Sequence, residues 1–209
     1  MKIITREEVL AIVNSTKNFT NMDLSIADLS DIDFSDCDFS FATMTGVRMD
    51  RCTFKNAIFD DAFIPEAFMN NSTFVNTRMH RTFLQRTELN GCTFDSCDML
   101  QLNAMVSDLS GSNFTKTNLN RTSFIDSIMK EAKFTFTTTV AGNWRGATLD
   151  GSSFEGCVLD YADFRKVSLR ECRFKDISAK EIMFYGVKPW GEDADSRNWA
   201  DLLPIYQAD

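Results

Sequence analysis

An apolar residue at every fifth position, held without a slip over most of the chain, is the feature that decides what this sequence can fold into. Steps of five from Phe19 (Leu24, Leu29, Phe34, Phe39, Met44 and so on) reach Phe184 in 34 positions, of which only Ala104, Thr139 and Ala179 are small or polar. Fourteen of the 19 Phe lie on this grid, so periodicity accounts for an aromatic content that composition leaves unexplained. Two residues before each centre usually stands a slim residue, as at Ala27, Cys37, Ala42, Cys52, Ala57 and Ser72; larger exceptions, such as Ile32 and Leu102, are few. The flanks are mostly Asp, Asn, Ser, Thr, Arg or Lys. A helix repeats its faces every 3.6 residues and a flat strand every two, so neither produces a strict five.

A second period sits inside the first. Every fourth centre, from Phe34 through Phe54, Phe74, Phe94, Phe114, Phe134 and Phe154 to Phe174, is Phe. At roughly one Phe in ten positions, eight in succession by chance is on the order of one in 10⁸, so a structural repeat is required. The column Leu29, Met49, Met69, Leu89, Leu109, Met129, Leu149 and Leu169 holds only Leu and Met. Four sides of five residues make a turn of 20, and stacked turns bring like side chains into ladders. The slim residue also points inward, where little else fits between the large centres.

Ala27-Asp28-Leu29-Ser30, Cys37-Asp38-Phe39-Ser40, Cys92-Thr93-Phe94-Asp95 and Ala162-Asp163-Phe164-Arg165 resemble the repeat of the pentapeptide-repeat family. The resemblance covers residues 17–186 and implies an all-β fold, a right-handed quadrilateral parallel β-helix. The general preference for right-handed crossovers agrees. At about 4.8 Å per turn, about 8.5 turns make a rod roughly 40 Å long.

A solenoid needs covers at its raw ends. Residues 1–16 are expected to form an N-terminal helical cap. Thr5-Arg6-Glu7-Glu8 has the form of a capping box, and Val9, Leu10, Ile12 and Val13 supply an apolar stripe. Residues 187–209 read as a C-terminal helical cap or as a dimerisation element, as some family members have there, presenting Trp199, Leu202 and Leu203.

All six cysteines, Cys37, Cys52, Cys92, Cys97, Cys157 and Cys172, occupy the slim inward position. Cys52 and Cys92 share a column but stand two turns apart, roughly 9–10 Å, beyond the roughly 7 Å limit for a disulfide. They read as core residues in a reducing compartment. The Asn-x-Ser/Thr triplets, such as Asn71-Ser72-Thr73, follow from repeat composition. The N-terminus breaks any apolar run with Glu7 and Glu8, so no secretory signal of the usual kind is expected, nor is any stretch apolar enough to span a membrane. A cytoplasmic protein is expected. The net charge of −8 argues against direct binding to nucleic acid or anionic lipid.

Catalytic chemistry is not expected. The lone histidine, His80, is expected to face outward, and no metal-ligand spacing, phosphate loop or nucleophile elbow is present. No cofactor and no metal are expected. Function must then reside on outward positions that depart from the polar pattern. Ile58, Phe63, Phe68 and Phe83 are such departures, with Phe63 and Phe83 on adjacent turns, Pro65 close by, and Arg78, His80, Arg81 and Arg86 beside them. Aromatic groups beside arginines are the composition of a protein-binding hot spot. Asp23, Asp28, Asp31, Asp33, Asp36 and Asp38 make one end acidic, while the last turns are mixed. Three roles follow: a DNA-mimicking ligand of DNA gyrase or another type II topoisomerase, as the family resemblance implies; a bacterial effector or regulator binding another protein through the aromatic and arginine patch; or a structural scaffold.

Overall fold

In the computed structural model, residues 4–184 are described. Trp199, Leu202 and Leu203 lie outside them. The chain opens with α1 (Arg6–Val13) and continues as a parallel solenoid containing seven short strands. These are β1 (Thr53–Lys55), β2 (Thr73–Val75), β3 (Thr93–Asp95), β4 (Asn113–Thr115), β5 (Lys133–Thr135), β6 (Ser153–Glu155) and β7 (Arg173–Lys175). They pair in chain order, each with the residues 20 positions on, so Phe54 lies on Phe74 and Phe74 on Phe94. Single parallel bridges with the same register of 20 recur every five residues, from Asn18 with Asp38 to Asp163 with Met183. A turn therefore has four five-residue legs. We name the four stacks after their first centres: the Phe19, Leu24, Leu29 and Phe34 columns.

Each leg ends in a corner of one conformation. At every fifth residue from Asn21 to Glu181 the backbone φ lies between +50° and +75°, although only Gly46, Gly91, Gly111, Gly146, Gly151 and Gly156 among these residues are glycine. A left-handed residue in third place is what a tight reversal with a bond across four residues demands, and Ala42 N–H donates to Phe39 O across such a corner at 3.0 Å. An L-residue there costs about 1–2 kcal/mol, which inter-turn hydrogen bonds such as Phe19 N–H to Asp38 O (2.7 Å) offset.

The centres form a continuous buried core. The Phe34 column stacks face to face from Phe34 to Phe174, with centroid separations from 4.6 to 5.6 Å. That spacing is the separation of paired strands, so hydrogen-bond geometry sets the ring stacking.

The slim inward position is chemically richer than its size suggests. The hydroxyls of Ser72, Ser107, Ser112 and Ser152 each donate to a centre carbonyl of the turn below and accept a backbone N–H from it. Thr77, Thr82 and Thr87 donate in the same direction, as do the Cys92 and Cys157 thiols. Ser, Thr and Cys stand there because each is slim and also carries a donor for a buried carbonyl. Burial pushes the thiols up, to about 11 at Cys37, Cys52, Cys97 and Cys172 and to about 12 at Cys92. All six are free; five are buried and Cys172 is half-buried.

At the N-terminal end, α1 closes the stack. Thr5 Oγ1 accepts the Glu8 N–H while a Glu8 carboxylate oxygen accepts the Thr5 N–H. Val9 is buried and Ile12 and Val13 pack on the core; Phe19, Leu24 and Leu29 in the first turn are fully buried in consequence. Leu10 departs from the expected stripe and is 36% exposed, because one step round a helix from Val9 carries it about 100° off the covered face.

Candidate interaction surface

The outward residue before each centre is frequently Asp or Asn for a local reason. Its side-chain oxygen accepts the backbone N–H two residues on, as Asp23, Asp28, Asp33 and Asp38 do from Ser25, Ser30, Ser35 and Ser40. Asn18, Asn103, Asn118 and Asn143 make the same bond without charge. This is the Asx-turn bond, which fixes the chain entering a corner. Side-chain and backbone bonds from Ser25 hold the Asp23 carboxyl below the usual range, and bonds from Ser30 do the same for Asp28. Asp31 is held low by its two bonds from Arg51, and Asp36 by Asn56 and Lys17. The six acidic residues are thus a ring: Asp23, Asp28, Asp33 and Asp38 occupy the four columns in turn, and Asp31 and Asp36 two corners.

Arg6, Arg48 and Arg51 with Asp28, Asp31 and Asp50 line a cavity of about 400 Å³ beside α1. Arg51 is committed to Asp31, Arg48 to Asp50, and Arg6 to the Ser30 carbonyl. Among the described residues no group of three or more His, Cys, Asp and Glu is arranged to hold a metal ion. No helix among them is long and apolar enough to cross a membrane.

The aromatic and arginine residues divide among three columns. Phe63 and Phe83 pair in the Leu24 column and their rings stack at 5.0 Å. Ile58 and Arg78 belong to the Phe19 column, and Phe68 to the Leu29 column, where the Arg48 guanidinium lies 4.9 Å from its ring centre. The arginines are tied to carboxylates on the turn below: Arg78 to Asp60 at 2.7 Å, Arg81 to Asp61 through two bonds, and Arg86 to Glu66 at 3.5 Å. His80 is half-buried; its Nε2 is 2.7 Å from an Asp98 carboxylate oxygen, a close polar contact without the alignment of a hydrogen bond.

One column is unlike the others. On the Leu24 column the outward residues flanking the centres are Thr43 and Thr45, Phe63 and Pro65, Phe83 and Gln85, Asn103 and Met105, and Ser123 and Ile125. Five successive turns therefore carry no charge there, whereas each of the other columns is charged within any three turns. Of the eight large apolar side chains exposed among the described residues, five lie on this column or its two corners: Ile26, Phe41 (57%), Phe63 (45%), Val106 (50%) and Tyr161. Phe136 stands at another corner with its ring against Gly156, where a Cβ would come within 2.4 Å of it. Sequence reasoning missed Phe41, Met105, Val106 and Ile125. Their signal lies in the residue after each centre (Met105, Ile125) and in the corner residue (Phe41, Val106), taken at the same interval of 20 as the centres.

The model of the family described as pentapeptide repeats matches residues 18–56, 32–71, 107–138 and 145–176, together more than half of the chain. No curated protein matches the sequence. Among solved structures, the chain is similar to HetL, a pentapeptide repeat protein involved in heterocyst differentiation regulation in the cyanobacterium Nostoc sp. strain PCC 7120. The identity is 17% over 83% of this chain and 94% of that one, with a TM-score of 0.51. QnrB1, a plasmid-mediated fluoroquinolone resistance protein, aligns at 17% identity over 75% of this chain and 86% of its own, with a TM-score of 0.44. A pentapeptide repeat protein of the Arabidopsis thaliana thylakoid lumen aligns at 20% identity over 67% and 70%, with a TM-score of 0.23. Only the first overlay is close enough to bear on the fold.

Proposed function

Because the chain belongs to the pentapeptide-repeat family, we propose that it is a non-catalytic binding protein whose working surface is the Leu24 column. We take its form to be a right-handed rod of four-sided section, the hand favoured for parallel crossovers. Six free and mostly buried thiols suit a reducing compartment. The observation that carries the reading is the run of five charge-free turns bearing the stacked Phe63 and Phe83. A chain of net charge −8 has little reason to clear one side of charge unless something apolar packs there. The ion pairs Asp61 with Arg81 and Glu66 with Arg86 border this strip at its two corners, an apolar centre with a polar rim. Replacing Phe63 and Phe83 together by Ser should abolish association with whatever partner the wild-type chain captures. A partner still retained by that variant sinks the reading.

A second reading is a ligand for the DNA-binding saddle of DNA gyrase. It is favoured by the net charge of −8 and the ring of six aspartates around the first turns. On this reading added protein inhibits gyrase supercoiling, or protects the enzyme from a quinolone, at micromolar concentration; no effect in either assay rules it out.

A further inference from the structure

We propose that the partner of the Leu24 column is a second copy of this chain, packed antiparallel about a two-fold axis between the levels of Phe63 and Phe83. The inference rests on the reading of that column as the working surface and goes further by naming its occupant.

The argument is one of register. A two-fold axis lying in the contact plane, perpendicular to the solenoid, reverses the order of turns and keeps each corner facing its own counterpart. With the axis between Phe63 and Phe83, Phe63 of one copy meets Phe83 of the other, and the two stacked pairs form one four-ring cluster. At one corner Asp61 falls opposite the other copy's Arg81, and at the other Glu66 falls opposite its Arg86. Both corners carry the acid on the same turn and the base 20 residues on, so one operation satisfies both. The same operation sets exposed Val106 opposite Gly46, which offers no side chain of its own. Pro65 meets Gln85, and Thr45 meets Met105.

Parallel packing of the same two faces, with the axis along the solenoid, fails. It sets Asp61 against Glu66 and Arg81 against Arg86, like against like at both edges. Charge thus selects the antiparallel arrangement. Six turns overlap, from the level of Asp23 to that of Ser123. At about 4.8 Å per turn and at most about 16 Å per leg, the two footprints total about 900 Å² of flat area. That is below the usual range of specific interfaces and in the weak, transient class, so dimerisation is expected only at micromolar concentrations and above.

The test uses the full chain in sedimentation equilibrium from about 1 to 200 µM, with expected dimerisation in that range. Phe63→Ser with Phe83→Ser should leave a monomer. The sharper experiment is a charge pair. Asp61→Arg with Glu66→Arg makes both edges wholly basic, and Arg81→Asp with Arg86→Asp makes both wholly acidic. Each variant alone should be monomeric, and an equimolar mixture should recover a one-to-one dimer. Far-ultraviolet circular dichroism of wild-type shape and a cooperative thermal transition show that each variant is folded. A monomeric wild-type chain overturns the inference, as does a mixture that fails to assemble. So does a dimer indifferent to Phe63 and Phe83 but lost with Trp199→Ala and Leu202→Ala. A monomer that binds another protein through Phe63 and Phe83 overturns only the second copy and leaves the binding surface standing.

Discussion

Gly142 sits where most turns place Ala, Ser, Thr or Cys, and its surroundings give the effect of adding one methyl group. The neighbouring Leu24-column centre is Trp144, fully buried in a column that elsewhere holds Leu, Met, Ile, Ala or Phe. Its indole N–H donates to Thr139 Oγ1 at 3.0 Å, so the polar Thr139 at a core centre is the acceptor for an otherwise unpaired buried donor. A Cβ on Gly142 would lie 2.2 Å from that oxygen and 3.0 Å from the indole nitrogen. The φ of Gly142 is not left-handed, so backbone strain is not the issue. Gly142→Ala must displace the hydroxyl and break the bond. Overpacking costs about 1–3 kcal/mol and a lost buried hydrogen bond about 1 kcal/mol, so about 2–4 kcal/mol is expected. Urea denaturation followed by circular dichroism measures it. In a Trp144→Leu background, with the residue found at Leu24 and Leu84, the Thr139 hydroxyl can turn away. There the same Gly142→Ala change should cost less than about 1 kcal/mol, a coupling of about 2 kcal/mol. A single variant within about 0.5 kcal/mol of wild type, or an undiminished penalty in the Trp144→Leu background, would refute the reasoning.

Three further outcomes follow from the core and the surface ladder. Ser112→Ala removes both the donor to the Leu89 carbonyl (2.7 Å) and the acceptor for the Cys92 N–H (2.9 Å); a loss of about 1–3 kcal/mol is expected in urea denaturation, and Ser112→Cys should restore part of it. Because burial raises the cysteine thiols, the native chain at pH 8 should react with a disulfide reagent far more slowly than the chain in guanidinium, which should titrate six thiols; fast native labelling at Cys52 or Cys92 would contradict their placement. The depressed carboxyls of Asp23, Asp28, Asp31 and Asp36 add stability at a pH above the unfolded carboxylate value of about 3.9 and lose it as pH falls through their lower folded values. Melting midpoints should therefore drop below about pH 4, and Asp23→Asn with Asp28→Asn should flatten that drop while keeping the corner bonds.

The legibility of this chain divides along the direction in which its side chains point. Inward positions meet fixed neighbours every turn, and close packing tolerates few residue types. The core therefore writes its period into the sequence, and Phe34 through Phe174 announce a column before any coordinates exist. The same constraint made the slim position visible, yet only packing showed that Ser112 or Cys92 must also carry a donor, since size alone is satisfied by Ala. The capping box at Thr5 and Glu8 is local and was legible; the outward turn of Leu10 depended on where α1 lies against the stack. Outward positions are tolerated by water whatever their type, so beyond the Asp and Asn that make the corner bonds they carry little period of their own. Ile58, Phe63 and Phe68 stand close in sequence but on three different columns, while Phe63, Phe83, Met105 and Ile125 are remote and share one. By itself the sequence determined a solenoid of 20-residue turns, because a repeating core admits no other register. Which surface residues adjoin, and hence which side is bare of charge, was decided by the stacking, because only the wound chain brings residues 20 apart within about 5 Å of one another.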